Sequence, residues 1–198
     1  MRSAATGPTT LDQTSPASTG DTNPYGDNHT RSLERKGNPF TRSLNGGRTL
    51  SALMLPFFLV RPPSGFGVLT TTGRRTGKTR RKCIHAVRAG NKAYVVMIRP
   101  TQAAIEAGSI SAWVLNIRAD PHVRLRIRGG TFAGVARELR DTAERQLAEQ
   151  TYCETINPFD YVECTFHRNG RPTRAKIAEL HRNWFEYGIP LEIDLQSS

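Results

Sequence analysis

LTTTGRRTGKTRRK, residues 69–82, carries a β-type run of threonines into a turn flanked by Gly73 and Gly77, with six cationic side chains and no acidic one. Arg74, Arg75, Lys78, Arg80, Arg81 and Lys82 supply charge and forked donors. The two glycines permit positive φ and let backbone N–H groups approach anionic oxygens. Such a turn suits a polyanion. A nucleotide-triphosphate loop is the first rival, but only three residues separate Gly73 from Gly77 where that pattern needs four. Such a loop also opens a helix, whereas CIHAVRAGNKAYVVMI, residues 83–98, reads as two strands around a turn at Gly90-Asn91. A solvated basic hairpin without a ligand is the bland alternative.

Working outward, Phe66 to Thr72, Cys83 to Ala89 and Lys92 to Ile98 are rich in β-branched and aromatic residues and read as three hairpin-connected strands. The segment from Thr101 to Arg118 is expected to be helical in part, with Trp113 and Asn116 three apart on one face and Asp120-Pro121 ending it. Val123 to Arg128 alternates without exception, Val123, Leu125 and Ile127 against Arg124, Arg126 and Arg128, as a half-buried strand with a cationic outer face does. Gly129-Gly130 makes a tight hairpin turn and Thr131 to Arg140 returns. Asp141 and Glu144 have the spacing of a capping box for a helix running to about Thr155. Asn157-Pro158 breaks that helix, Phe159 to Phe166 alternates like a further strand, and Pro172 suits the first turn of a last helix with Ile177, Leu180, Trp184 and Tyr187 on one stripe. The order predicts antiparallel hairpins with flanking helices, a small barrel or rolled sheet.

With 198 residues the chain is expected to make one domain over 39–198, preceded by a disordered tail over 1–38 whose sizeable apolar groups are only Leu11, Tyr25 and Leu33. That tail has no apolar stretch of a secretory signal, and a cytoplasmic location is expected. Leu50 to Val60, LSALMLPFFLV, is eleven residues long, short of the roughly 20 that span a bilayer. It reads as a helix and following segment packed over the core, or as a lid or peripheral membrane contact. The net charge of +11 permits nucleic acid, an anionic membrane or an acidic small molecule, but no named nucleic-acid motif is present and such a partner is not expected. Cys83, Cys153 and Cys164 lack framework spacing. Cys164 and His167 have no second pair at zinc-like spacing, so no metal is expected and buried thiols are the plainer reading.

The ordered combination of LTTTGRRTG, the strand YVV, Trp113 and Asn116 at their spacing, Ala119-Asp120-Pro121, the Gly-Gly turn, Ala136-Arg137 and Asp141 with Glu144-Arg145 resembles the deazaflavin-dependent nitroreductase and quinone reductase family over roughly residues 45 to 150. The resemblance implies a split β-barrel of the FMN-binding type and a reduced deazaflavin coenzyme, F420, whose tail carries a phosphate and a chain of glutamates. Arg74, Arg75, Thr76, Gly77, Lys78 and Arg80 match the family turn that grips this tail, with Arg99, Trp113 and Asn116 as further cofactor-contacting candidates. Met97, Ile98, Arg99 and Pro100 depart from the small and hydroxyl-bearing residues usual beside the ring, and Val114-Leu115 from the polar or aromatic pair after the Trp. A more apolar ring pocket follows. Tyr152, Tyr161 and His167 are candidates for protonating the reduced product, each with a packing role as its alternative.

The implied activity is F420H2-dependent hydride transfer to an electrophilic small molecule, such as a quinone, an enone or a nitro compound, including a secondary-metabolite intermediate. Two alternatives stand beside it: the same barrel binding FMN or haem, or acting without redox chemistry, and a basic protein that binds nucleic acid or an anionic membrane.

Overall fold

The computed structural model describes residues 46–99 and 102–196, so the expected tail over 1–38 lies outside the described residues. Helix α1, Gly46–Val60, runs through Pro56. Strands β1, Phe66–Thr72, β2, Thr79–Ala89, and β3, Lys92–Met97, follow as expected from the β-branched runs. The helices α2, Gln102–Glu106, and α3, Ala112–Ala119, come next, then the hairpin of β4, His122–Ile127, and β5, Gly130–Glu138. Helices α4, Thr142–Glu154, α5, Pro158–His167, and α6, Arg174–Tyr187, precede a last strand β6, Ile189–Leu195.

The six strands form a closed antiparallel barrel in the order β1-β2-β3-β6-β5-β4. Alternation fills its interior: Leu69 faces Leu125 across β1 and β4, Val95 faces Leu191 across β3 and β6, and Ala136 faces Ile193 across β5 and β6. These side chains belong to one core with Trp113, Val114 and Ile117 of α3, which plugs the barrel. Gly67 lies at a close strand approach, where a Cβ would stand 2.6 Å from the Arg126 carbonyl oxygen. A second core, with Val87, Tyr94, Leu180, Trp184 and Phe185, lies outside the barrel wall under α4 and α6.

Two expectations require correction. Phe159 to Phe166 is not a strand but most of α5. Pro158 occupies the first turn, and the Asp160 carboxylate accepts a 2.6 Å hydrogen bond from the Asn157 N–H, so an N-terminal cap outweighs the apparent alternation. The buried face is then Asp160 and Cys164, four apart, in place of every second residue. Pro172 precedes the last helix and is not in its first turn, since Thr173 is the cap and accepts from the Lys176 N–H. Strand β6 is an addition to the expected elements. Its Leu191, Ile193 and Leu195 alternate inward, and without it β3 and β5 would have open edges.

Candidate active site

The β1–β2 turn is built on its own backbone. The Gly73 N–H donates to the Lys78 carbonyl at 2.9 Å, and the Gly73 carbonyl accepts from the Thr76 and Gly77 N–H groups at 3.0 and 2.7 Å. Gly77 adopts φ +64°, a left-handed conformation natural to glycine, and no heavy atom lies within 4 Å of where its Cβ would be. Arg74, Arg75, Thr76, Lys78 and Arg80 are all exposed. Among the described residues, none of the ion pairs includes Arg74, Arg75, Lys78, Arg80 or Arg81. These five side chains are thus presented to solvent with no ion partner among the described residues.

Asn116, buried on α3, holds the turn in place. Its Oδ1 accepts from the Arg74 N–H at 3.2 Å and its Nδ2 donates to Thr71 Oγ1 at 3.2 Å. Both ends of the amide are therefore engaged by β1 and the turn. The register extends the cationic surface sideways, because Thr70 lies opposite both Arg81 of β2 and Arg124 of β4. Residues directly opposite project from the same face, so two exposed arginines flank Thr70 on the outer wall.

The remaining sequence candidates disperse. Trp113 packs in the barrel core. Arg99 donates through Nη1 to the Tyr187 carbonyl at 2.8 Å and through Nε to the Ser109 carbonyl at 3.3 Å, which fastens the end of α6. Tyr152 is sealed in the outer helical layer with 0 % exposure, and burial holds its phenol well above the usual range. Tyr161 and His167 are half-buried on α5, and burial followed by Arg168 lowers the His167 pKa. Val114 is fully buried, Leu115 and Ile98 half-buried. The structure thus gathers the six turn residues and their Asn116 anchor, while Arg99, Trp113 and the three proton-donor candidates sit elsewhere.

A model of the F420H(2)-dependent quinone reductase family matches residues 59–166, which include the turn, Asn116 and five of the six barrel strands. The chain belongs to that family. It is an F420-dependent oxidoreductase. The family match stops within α5, although β6 completes the barrel beyond it. Among solved structures, the chain is similar to an F420-H2 dependent reductase, FDR-A, at 18% identity and TM-score 0.45, covering 68% of this chain and 96% of that one. A domain-swapped dimer matches at 20% identity and TM-score 0.44, covering 68% and 81%. HutZ, a heme storage protein of Vibrio cholerae, matches at 12% identity and TM-score 0.42, covering 74% and 90%. No curated protein matches the chain.

A second polar group escaped the sequence analysis. His85 on β2 faces Asp160 of α5, with Nε2 and Oδ1 2.7 Å apart in a buried pair. His181 of α6 lies beside it, ring centroids 5.3 Å apart, and the Tyr152 ring is 4.8 Å from His85 and 5.0 Å from His181. Burial opposes ionisation of Asp160, but the hydrogen bond and charge of His85 hold its carboxyl below the usual value. Burial and then His85 press His181 down to about 4. Nearby, burial raises Glu163 to about 7. The only sequence signal was a His inside an apolar strand and another on the apolar stripe of α6.

Proposed function

We propose that the protein reduces an electrophilic small molecule of the quinone, enone or nitro class, and that Arg74, Arg75, Thr76, Gly77, Lys78 and Arg80 hold the acidic tail of F420. One observation carries this: a hydrogen-bonded, exposed turn in which Arg74, Arg75, Lys78 and Arg80 have no ion partner among the described residues. The donor set fits a ligand with phosphate and carboxylate groups, since guanidinium forks bind both bidentately and Gly77 leaves room for backbone approach. When bound, F420H2 supplies the hydride. Asn116 keeps the Arg74 backbone in place, so the turn meets its ligand preorganised. Arg81 and Arg124 extend the same surface toward the far end of a long acidic tail. Tyr161 and His167 keep the partial exposure that a proton donor to product needs, and Tyr152 does not.

The substrate reaches the protein from an apolar phase in this proposal, because α1 exposes Leu53, Phe57 and Val60 by 71%, 73% and 80%. These positions, four and three apart, share one helix face. Arg126 Nη2 donates to the Val60 carbonyl at 3.2 Å and places a cation at the end of that face. The helix touches the membrane surface and does not cross it.

Fluorescence titration with F420 tests the assignment of the turn. The Arg74→Ala/Arg75→Ala/Lys78→Ala variant is expected to bind F420 at least about 100-fold more weakly than wild type, since each charge-assisted contact contributes roughly 1.5–3 kcal/mol. Equal affinity of variant and wild type would sink the assignment.

A further inference from the structure

We propose that His85, Asp160 and His181 form a buried site for one divalent transition-metal ion of the zinc and cobalt kind. Each offers a ligand atom, and these atoms lie within 4.8 Å of one another. All three side chains are buried, with relative exposures of 7%, 1% and 0%. They come from three different elements, β2, α5 and α6, so the site exists only in the folded chain.

Hydrogen bonding leaves the ligand position of His181 open. His181 Nδ1 lies 3.2 Å from the Tyr152 carbonyl, which can only accept, so Nδ1 carries the proton and the neutral ring presents a bare Nε2. That Nε2 has no partner among the described residues. At His85 the nitrogen that faces the cluster is Nε2, 2.7 Å from Asp160 Oδ1, so an ion bound there replaces the proton this pair shares, while Nδ1 has no partner among the described residues. An imidazole whose second nitrogen is held by a backbone carbonyl, as that of His181 is by Tyr152, is the usual setting of a metal-ligating histidine. Asp160 accepts from His85 and from the Asn157 N–H, which occupies two of the roughly four lone-pair sites of a carboxylate. A lone pair remains for a metal. The Tyr152 hydroxyl, also buried and without a partner among the described residues, is a fourth polar group in the same cluster.

Two imidazoles and one carboxylate suit zinc, which binds such donors at about 2.0–2.2 Å. Ligands at those lengths on a tetrahedron stand about 3.4 Å apart, so the widest pair must close by roughly 1.4 Å, within reach of side-chain rotation. The ion would fasten α5 and α6 to the outer wall of β2. His85 lies five positions after Arg80 on β2, about 16 Å along the strand, so this site is separate from the F420 turn.

The test uses the full untagged chain, freed of metal by chelator and then titrated with Co2+ and Zn2+. Expected are cobalt d–d absorption bands saturating at one equivalent, bleaching of those bands by Zn2+, and a thermal midpoint raised by Zn2+. In His181→Gln the zinc affinity should fall more than 100-fold, and in a variant with all three cysteines changed to Ser it should not change. F420 binding reports that each variant is folded and is expected to be unaltered. Wild-type protein that develops no cobalt bands at tenfold excess overturns the proposal, whether or not any variant folds. So does zinc affinity that survives His181→Gln or disappears with the cysteines.

Discussion

Asn116 joins the barrel plug to the cationic turn through a single amide, accepting from the Arg74 N–H and donating to Thr71. Asn116→Ala leaves the Arg74 N–H without this acceptor. We expect F420 affinity to fall about tenfold by fluorescence titration and stability to fall by roughly 1–3 kcal/mol in urea unfolding. An unchanged affinity would show that the turn needs no anchor. Glu163 gives a pH-dependent expectation. Its Oε2 is buried without a partner among the described residues, and burial raises its pKa from 4.5 to about 7. The folded state therefore holds this proton more tightly than the unfolded state, and the residue's contribution is lost as pH rises through about 7. Glu163→Gln should accordingly gain stability at pH 8, by up to about 3 kcal/mol, and gain almost none near pH 4.5. Denaturant unfolding at the two pH values checks this, and a gain that is larger at low pH would contradict it.

Among the elements, α1 and α5 show why local pattern alone misplaces things. FDYVECTF alternates, yet Asn157, Pro158 and Asp160 set a helix start that the alternation cannot oppose. The apolar run in α1 was legible as a helix over the core, and Phe58 does pack there, 3% exposed and 5.9 Å from the Phe66 ring. Which of its remaining apolar residues face outward depended on where β1 and β2 meet it. The exposed face predicts that Leu53→Ser/Phe57→Ser/Val60→Ser lowers sedimentation with anionic phospholipid vesicles at least about tenfold, since burying each such group is worth roughly 1.5–3 kcal/mol. Its thermal midpoint should stay at or above that of wild type. Vesicle binding that persists in this variant would place the contact elsewhere.

For the molecule as a whole, closure depends on the last few residues. β6 pairs with β3 on one side and β5 on the other and inserts Leu191 and Ile193, both fully buried, into the core. Glu192 on its other face accepts from Lys92 and Arg137, each at 3.0 Å, tying β6 to both neighbours. Deleting residues 188–198 removes one barrel stave and leaves two strand edges unpaired. We expect that truncated chain to show no cooperative thermal transition by circular dichroism. A truncated protein that melts cooperatively and binds F420 would show that five strands suffice.

The β1–β2 turn, its six cations, the alternation of β4 and the cap at Asp141 were readable in the chain because each depends on neighbours within a few residues: turn geometry, period-two patterning and side-chain capping are local physics. The ordered motifs also carried the family and its coenzyme. What Asn116 and Arg99 bond to, which face of α1 stays bare, and the meeting of His85, Asp160 and His181 were settled by folding. His85 and Asp160 stand 75 residues apart in sequence yet 2.7 Å apart in space. Closing the barrel and laying α5 and α6 over its outer wall brings them together, and no short window of sequence encodes that contact.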